Sequence, residues 1–187
     1  HKPAASRIRH CRRTLHLAKQ LLLWAGDLTN GFSLTRGIVF NQMSPSEMES
    51  MPGTAHISEQ GRRRRMEDAH VLLPDFSSPG WVLGAVFDGH RGLQAAAYAA
   101  ERFPHLVREA VRNGQEAGNA LVFALEGLGR DLLPEPSGCT AAAFFVQDHE
   151  LAAANVGDAR IVRVRNGEAR QLTRDHRVED PEERRRI

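Results

Sequence analysis

The chain has 187 residues, of which 41% are hydrophobic, 26% charged and 6% aromatic. That balance excludes collagen-like, disordered and membrane-spanning classes, and the length suffices for one sizeable domain with its own core. The formal net charge of +2 is uneven: residues 1–50 carry 7 basic and 3 acidic side chains, residues 51–187 carry 18 and 20, so the body is no nucleic-acid magnet.

Cys11 and Cys139 allow at most one bridge, which excludes a disulfide scaffold and a structural zinc site and makes a reducing, cytoplasmic compartment the default. The chain starts at His1 and stops at Ile187 directly after a charged run, so it reads as a piece cut at both ends.

Lys2, Arg7, Arg9, Arg12 and Arg13 precede an apolar run, the order of a secretory signal. His16, Lys19 and Gln20 interrupt it, however, and the continuous stretch Leu21–Ala25 is too short for a signal core or a membrane span. The spacing of Leu15, Ala18, Leu22 and Ala25, with Thr14 as a cap, predicts a short amphipathic helix over 14–25. Residues 26–54 mix Gly, Ser, Pro, Asn and Met without a period and read as a linker. The division expected is therefore a basic extension over 1–53 and a domain over 54–187.

From Thr54 onward short apolar strands alternate with turn residues. The candidates are Ala55–Ser58, Ala69–Leu73, Trp81–Phe87, Thr140–Val146, Leu151–Ala154, Arg160–Arg165 and Ala169–Leu172. Asp148-His149 marks one turn, and Asn166-Gly167 marks a hairpin suited to a primed turn. Two helical patterns lie between the third and fourth strands. One runs through Leu93, Ala96, Ala97, Ala100, Phe103, Val107 and Ala110, the other through Leu121, Ala124, Leu125, Leu128 and Leu132. Pro104 is expected to kink or shorten the first. Strands, two helices, then an antiparallel run of strands describe an α+β layered domain.

Glu67 and Asp68 follow the basic run Arg62–Arg65 and precede a strand, Asp88-Gly89-His90 follows another, and Asp158 comes after Asn155-Val156-Gly157 at a third strand end. Carboxylates at strand ends face a cleft. Hard cations such as Mg²⁺ and Mn²⁺ take oxygen ligands of this kind, and a glycine beside an aspartate lets its own carbonyl approach an ion. Acidic positions beside an arginine and a histidine suit phosphoryl chemistry: an arginine fork holds phosphate oxygens, and a histidine protonates the leaving oxygen. Each piece alone is common. Asp-Gly is an ordinary turn, four arginines usually make a solvated face, and Cys139 suits a small buried hydrophobe.

The joint order is specific. In sequence come Gly61-Arg-Arg-Arg-Arg-Met-Glu-Asp-Ala-His70, Val86-Phe-Asp-Gly-His90, Ser137-Gly-Cys-Thr-Ala141, Ala154-Asn-Val-Gly-Asp-Ala-Arg160, Leu172-Thr-Arg-Asp-His176 and Glu183-Arg-Arg-Arg-Ile187. Over roughly residues 54–187 this resembles the metal-dependent protein serine/threonine phosphatases, the PPM or type 2C family. The resemblance implies an α-β-β-α sandwich, truncated here, with two Mn²⁺ or Mg²⁺ ions between the sheets. It implies that Asp88 bridges the ions, that Gly89 offers its carbonyl, that Glu67 completes one shell and that Asp68 acts through water. Asp158 would face a third, weaker ion. Arg63 would bind the substrate phosphate and His90 would be the general acid, while a metal-bridging hydroxide attacks phosphorus without a phosphoenzyme. The implied partner is a phosphorylated protein, met by a monomer without nucleic-acid or membrane ligands. The alternative is a pseudophosphatase that keeps the fold as a binding scaffold.

The chain departs from the family pattern at Arg91, where a second glycine is usual, at Ala159, where serine is usual, and at Val178, where proline is common. The family also supplies two further metal-binding aspartates from the second half of its domain, beyond Ile187. Half of a two-sheet sandwich leaves edges and apolar faces unpaired, so the isolated 187 residues are expected to be poorly soluble or partly unfolded. A single cooperative unfolding transition of native-like stability would contradict this.

Overall fold

The elements, in chain order, are β1 (Gln20–Ala25), β2 (Gly53–Ser58), β3 (Ala69–Pro74), β4 (Val82–Phe87), β5 (Gly89–His90), α1 (Gln94–Arg112), α2 (Ala117–Asp131), β6 (Gly138–Cys139), β7 (Ala141–Gln147), β8 (Glu150–Val156), β9 (Val162–Arg165), β10 (Glu168–Gln171) and α3 (Pro181–Arg186). They come from a computed structural model that describes residues 20–25, 53–148 and 150–186.

Four of the apolar runs pair as an antiparallel sheet in the order β3-β4-β7-β8. β4 and β7 are its inner strands and are buried almost throughout, which explains their continuous apolar sequences Val82–Phe87 and Ala141–Val146. Alternation sorts their side chains. Leu83, Ala85 and Phe87, with Ala141, Ala143 and Phe145, face the helices, whereas Val82, Phe144 and Val146 form a second cluster on the other face with Leu72 and Ile161. Gly84 lies opposite Phe144 in the register and leaves room for its ring.

α1 packs on β3 and β4, and α2 packs on β7 and β8, so both helices cover the same face. The core between them is built on Phe87, Phe103 and Phe145, all fully buried, with Phe87 and Phe103 edge to face at 5.7 Å between centroids. Each such ring contributes roughly 2 kcal/mol through burial. Against expectation, α1 continues for eight residues beyond Pro104. The missing proline donor leaves one helical carbonyl without its usual partner, but Phe103, Leu106, Val107 and Ala110 are buried on both sides of the proline, and that packing outweighs the local penalty.

The start of α1 lacks a side-chain cap of its own. Ser137, just ahead of β6, supplies one: its Oγ accepts the Ala95 N–H at 3.0 Å and donates to Glu135 Oε1 at 2.8 Å. At the other end of α1, Gly114 turns the chain away at φ +78°.

The helix expected over 14–25 is overturned where it can be seen. Gln20–Ala25 is a strand, antiparallel to β2 with Leu22 opposite His56. A short continuous apolar run suits either element, and a partner strand about thirty residues further on decides it. Residues 14–19, and the linker expected over 26–52, lie outside the described residues; Gly53 and Thr54, expected at the linker boundary, belong to β2. The β1–β2 ribbon approaches β4 and β3. His56 stacks on His70 with ring centroids 3.9 Å apart, and His70 shares a sheet face with Leu72, so the ribbon covers the side away from the helices.

The other expected strands fall within a residue or two of their predicted bounds, the two-residue strands β5 and β6 were not expected, and α3 occupies the charged run before Ile187. Asn166 and Gly167 join β9 to β10 with φ +53° and +78°, the primed geometry their sequence predicts. Asp148 turns at φ +48°; His149 lies outside the described residues. The architecture is α+β. Among the described residues no helix is long and apolar enough to cross a membrane.

Candidate functional site

Antiparallel pairing brings four chain segments to one end of the sheet: the start of β3, the end of β4, the start of β7 and the end of β8. The register pairs Ala69 with Phe87 and Ala141 with Val156. Glu67 and Asp68 precede the first of these ends, Asp88 follows the second, Thr140 precedes the third, and Gly157 and Asp158 follow the fourth. All five candidate metal residues, including Gly89, therefore stand along one edge.

The spacing there is tight. A Cβ on Gly89 would fall far inside contact distance of the Glu67 main-chain oxygen, so the Glu67 and Asp88-Gly89 backbones are pressed together, as only glycine allows. The Asp88 carbonyl accepts the Thr140 N–H at 2.9 Å. Thr140 in turn abuts Gly157, where a Cβ would come within 2.7 Å of its methyl carbon. Asp158 is linked to Asp88 through Thr140 in this way. Asp68 is 6% exposed and Glu67 half-buried, while Asp88 and Asp158 are exposed to solvent.

His90 lies in β5, paired with Gly138 of β6. Its ring rests on that glycine: a Cβ at position 138 would stand 2.6 Å from His90 Nε2. Arg63 is exposed in the loop between β2 and β3. That loop turns at Gly61, with the Arg63 N–H donating to the Gln60 carbonyl at 3.3 Å and Gln60 Nε2 donating back to the Arg63 carbonyl at 2.7 Å. The turn sets the arginine four residues ahead of Glu67. Arg62, Arg64 and Arg65 are exposed as well, the solvated face expected of them.

Arg91, where the resemblance noted in the sequence implies a glycine, has φ +62° and is followed by Gly92 at φ +132°. A left-handed arginine beside His90 is local strain that a glycine would relieve.

Cys139 pairs with Gly89, and burial, helped by the nearby Asp88 charge, pushes its thiol up to about 11. At pH 8 about one such thiol in a thousand is ionised, so Cys139 should alkylate at least about tenfold more slowly than free cysteine. Iodoacetamide labelling at that pH, mapped by mass spectrometry, checks this; labelling at the free-cysteine rate contradicts it.

Residue-by-residue reading of the sequence missed several supports. Asn155 Nδ2 points at three carbonyls, those of Gly157 and Ala159 at 3.2 Å each and Arg174 at 2.7 Å, and so clamps the Asp158 loop. The His176 N–H donates to the Gly157 carbonyl at 2.8 Å, and Thr173 Oγ1 accepts the Ile161 N–H at 2.9 Å. Arg160 forks onto Asp175, with Nε to Oδ1 at 2.9 Å, and its hydrogen bond holds the Asp175 carboxyl below its ordinary value. The motifs containing Asn155, Thr173 and Asp175 were visible; their mutual contacts were not.

The donors at this sheet end are carboxylates and main-chain carbonyls, the set a hard divalent cation takes. Thr140 Oγ1, beside them, is buried without a hydrogen-bond partner among the described residues, as befits a site meant to hold further polar groups. In donor chemistry and position the residues fit such an ion. Among the described residues, no three His, Cys, Asp or Glu side chains are already gathered as a metal cluster.

A family model described as Protein phosphatase 2C matches residues 53–187. The chain is 36% identical over 153 residues to "Protein phosphatase 2C homolog 2" of Schizosaccharomyces pombe, covering 72% of this chain and 40% of that one. It is 42% identical over 147 residues to the human "Probable protein phosphatase 1N", covering 68% and 32%. The solved serine-threonine phosphatase 2C from Toxoplasma gondii shares the fold, with a TM-score of 0.56 at 20% identity over 66% of this chain and 50% of that one. The chain thus spans less than half the length of these two curated relatives.

Proposed function

The chain belongs to the protein phosphatase 2C family, and from that premise we propose that it is part of a metal-dependent protein serine/threonine phosphatase that hydrolyses phosphoserine and phosphothreonine. The observation that carries the reading is the convergence of Glu67, Asp68, Asp88, Gly89 and Asp158 on one sheet end, with the Gly89 backbone against Glu67. Phosphorylated proteins are the substrates. Two cysteines and the near-neutral charge of residues 51–187 favour a cytoplasmic protein without nucleic-acid partners.

In this reading Asp88 and Glu67 would hold divalent cations through their carboxylates, Gly89 through its carbonyl, Asp68 through water, and Asp158 at a further position; Mn²⁺ and Mg²⁺ both suit such oxygen donors. When bound, the cations neutralise phosphate charge and acidify water. Arg63 forks onto two phosphate oxygens and orients the ester for in-line displacement. His90, steadied against Gly138, gives a proton to the departing serine or threonine oxygen.

His90→Ala is therefore expected to lower turnover of an alkyl phosphoester such as a phosphothreonine peptide by about 10² to 10⁴. An aryl phosphate, whose leaving group needs little protonation, should lose far less. Steady-state rates on the two substrates decide the point, and equal losses on both would remove His90 from the acid role.

The reading itself is tested by hydrolysis of both substrates against a Mn²⁺ titration, with this chain and with one extended through the remainder of the catalytic domain. Metal-dependent turnover by the extended protein is the expected result. A folded extended protein inactive on both substrates would instead make the family member a pseudophosphatase.

A further inference from the structure

At the opposite end of β3 and β4 from Asp88, a cavity of about 250 Å³ is lined by Ser77, Ser78, Trp81, Arg108 and Arg112 along with Val111. Arg108 is half-buried, its guanidinium carbon 4.7 Å from the centre of the Phe76 ring, and no carboxylate pairs with it or with Arg112 among the described residues. A ring face steadies a cation but satisfies none of its five N–H donors, so a half-buried guanidinium held this way keeps its fork open for an acceptor.

Two carboxylates of the adjoining turns are engaged elsewhere. Asp75 Oδ1 accepts the Gly80 N–H at 2.7 Å and Asp148 Oδ1 accepts the Trp81 indole N–H at 3.0 Å, and neither residue lines the cavity. The lining is thus two arginines, two serines, Trp81 and Val111, with no carboxylate among them.

The loop carrying the hydroxyls is strained as well. Asp75 and Ser77 both have left-handed backbones, φ +53° and +66°, flanking the buried Phe76. Two such non-glycine residues in one seven-residue connection are costly, and strain of this kind clusters where side chains are aimed at ligands. Here it sets Ser77 and Ser78 on the cavity wall opposite the arginines of α1.

We propose that this cavity is a second oxyanion site, taking a phosphoryl group in the Arg108–Arg112 fork with hydroxyl donation from Ser77 and Ser78. The volume admits a phosphate with room for the start of the chain bearing it. β4 separates the cavity from Asp88 by six residues, on the order of 20 Å, so a group bound here cannot also occupy the candidate catalytic end. The proposal does not depend on the catalytic reading.

The test is a 1H–15N NMR titration of the whole catalytic domain with inorganic phosphate and, separately, with a phosphoserine peptide. Saturable shifts of the Ser77 and Ser78 amides and the Trp81 indole N–H are expected, with Gly89 and Cys139 amides reporting independently on the other end of the sheet. Arg108→Gln should weaken binding at the cavity by about tenfold, and Arg108→Lys, which keeps the charge but not the fork, by a smaller factor.

Equal affinity for the two ligands would show that the bare phosphoryl group is read; tighter binding of the peptide would show that the natural ligand is a phosphorylated chain. Absence of shifts at Ser77, Ser78 and Trp81 at tens of millimolar phosphate, or shifts unchanged in a folded Arg108→Gln/Arg112→Gln protein, would overturn the proposal.

Discussion

Asp88→Ala should reduce turnover of the complete enzyme by at least about 10³, because the carboxylate offered to the cations is lost and their contribution to catalysis amounts to several kcal/mol. The fold should survive. Asp88 is exposed, and the contact its backbone makes, the carbonyl accepting from Thr140, is retained by alanine. The variant's metal-free melting temperature should therefore stay close to that of the parent.

What should vanish is the rise on adding Mn²⁺. A ligand at a hundred times its dissociation constant stabilises by about 2.7 kcal/mol, or roughly 5–10 °C for a domain of this size class. A second readout needs no metal: the Asp88 charge helps raise the Cys139 thiol, so its removal should quicken alkylation of Cys139, though only modestly because burial is the larger cause. Retained activity together with a retained Mn²⁺ shift in Asp88→Ala would exclude this residue from the site.

Much of this fold can be read from the chain because its signals are local. Val82–Phe87 and Ala141–Val146 are too apolar to be edge strands, and Asn166-Gly167 announces its hairpin. Local rules fail where distant packing decides. Leu21–Ala25 suits a helix until β2 pairs with it, and Pro104 would end a solvent-exposed helix but not one held on both sides of the proline by the Phe103–Val107 core.

The candidate site divides in the same way. Carboxylates after apolar runs mark strand ends, but which ends lie side by side depends on register, and nothing in the local sequence states that Ala69 faces Phe87 or Ala141 faces Val156. Ser137 capping α1 across forty-two positions and Asn155 reaching Arg174 across nineteen are contacts of the same long-range kind. Thr140 read as a strand-start residue, and only the packed sheet reveals its buried hydroxyl beside the acidic edge.

Gly89 offers the sharpest test that this edge is a built feature. A methyl group there would overlap the main-chain oxygen of Glu67, with the Ala96 side chain at 3.3 Å on another side, so relief requires moving backbone. Gly84 differs in kind: the atoms its methyl would meet are the far edge of the Phe144 ring, which can turn. Gly89→Ala is therefore expected to cost about 2–4 kcal/mol of stability, and any relaxation must pull Glu67 away from Asp88. Turnover should fall further than the loss of folded protein accounts for, because the two acidic segments no longer meet.

Gly118→Ala serves as the control, since Gly118 lies near the start of α2 with open space where its Cβ would go, and alanine there should be neutral or stabilise by a few tenths of a kcal/mol. Urea unfolding of the two glycine variants, paired with Mn²⁺ binding by calorimetry at temperatures where both are folded, separates the two effects. If Gly89→Ala proves no less stable than Gly118→Ala and binds Mn²⁺ as the parent does, the close contact between the Glu67 and Gly89 backbones does not organise the site.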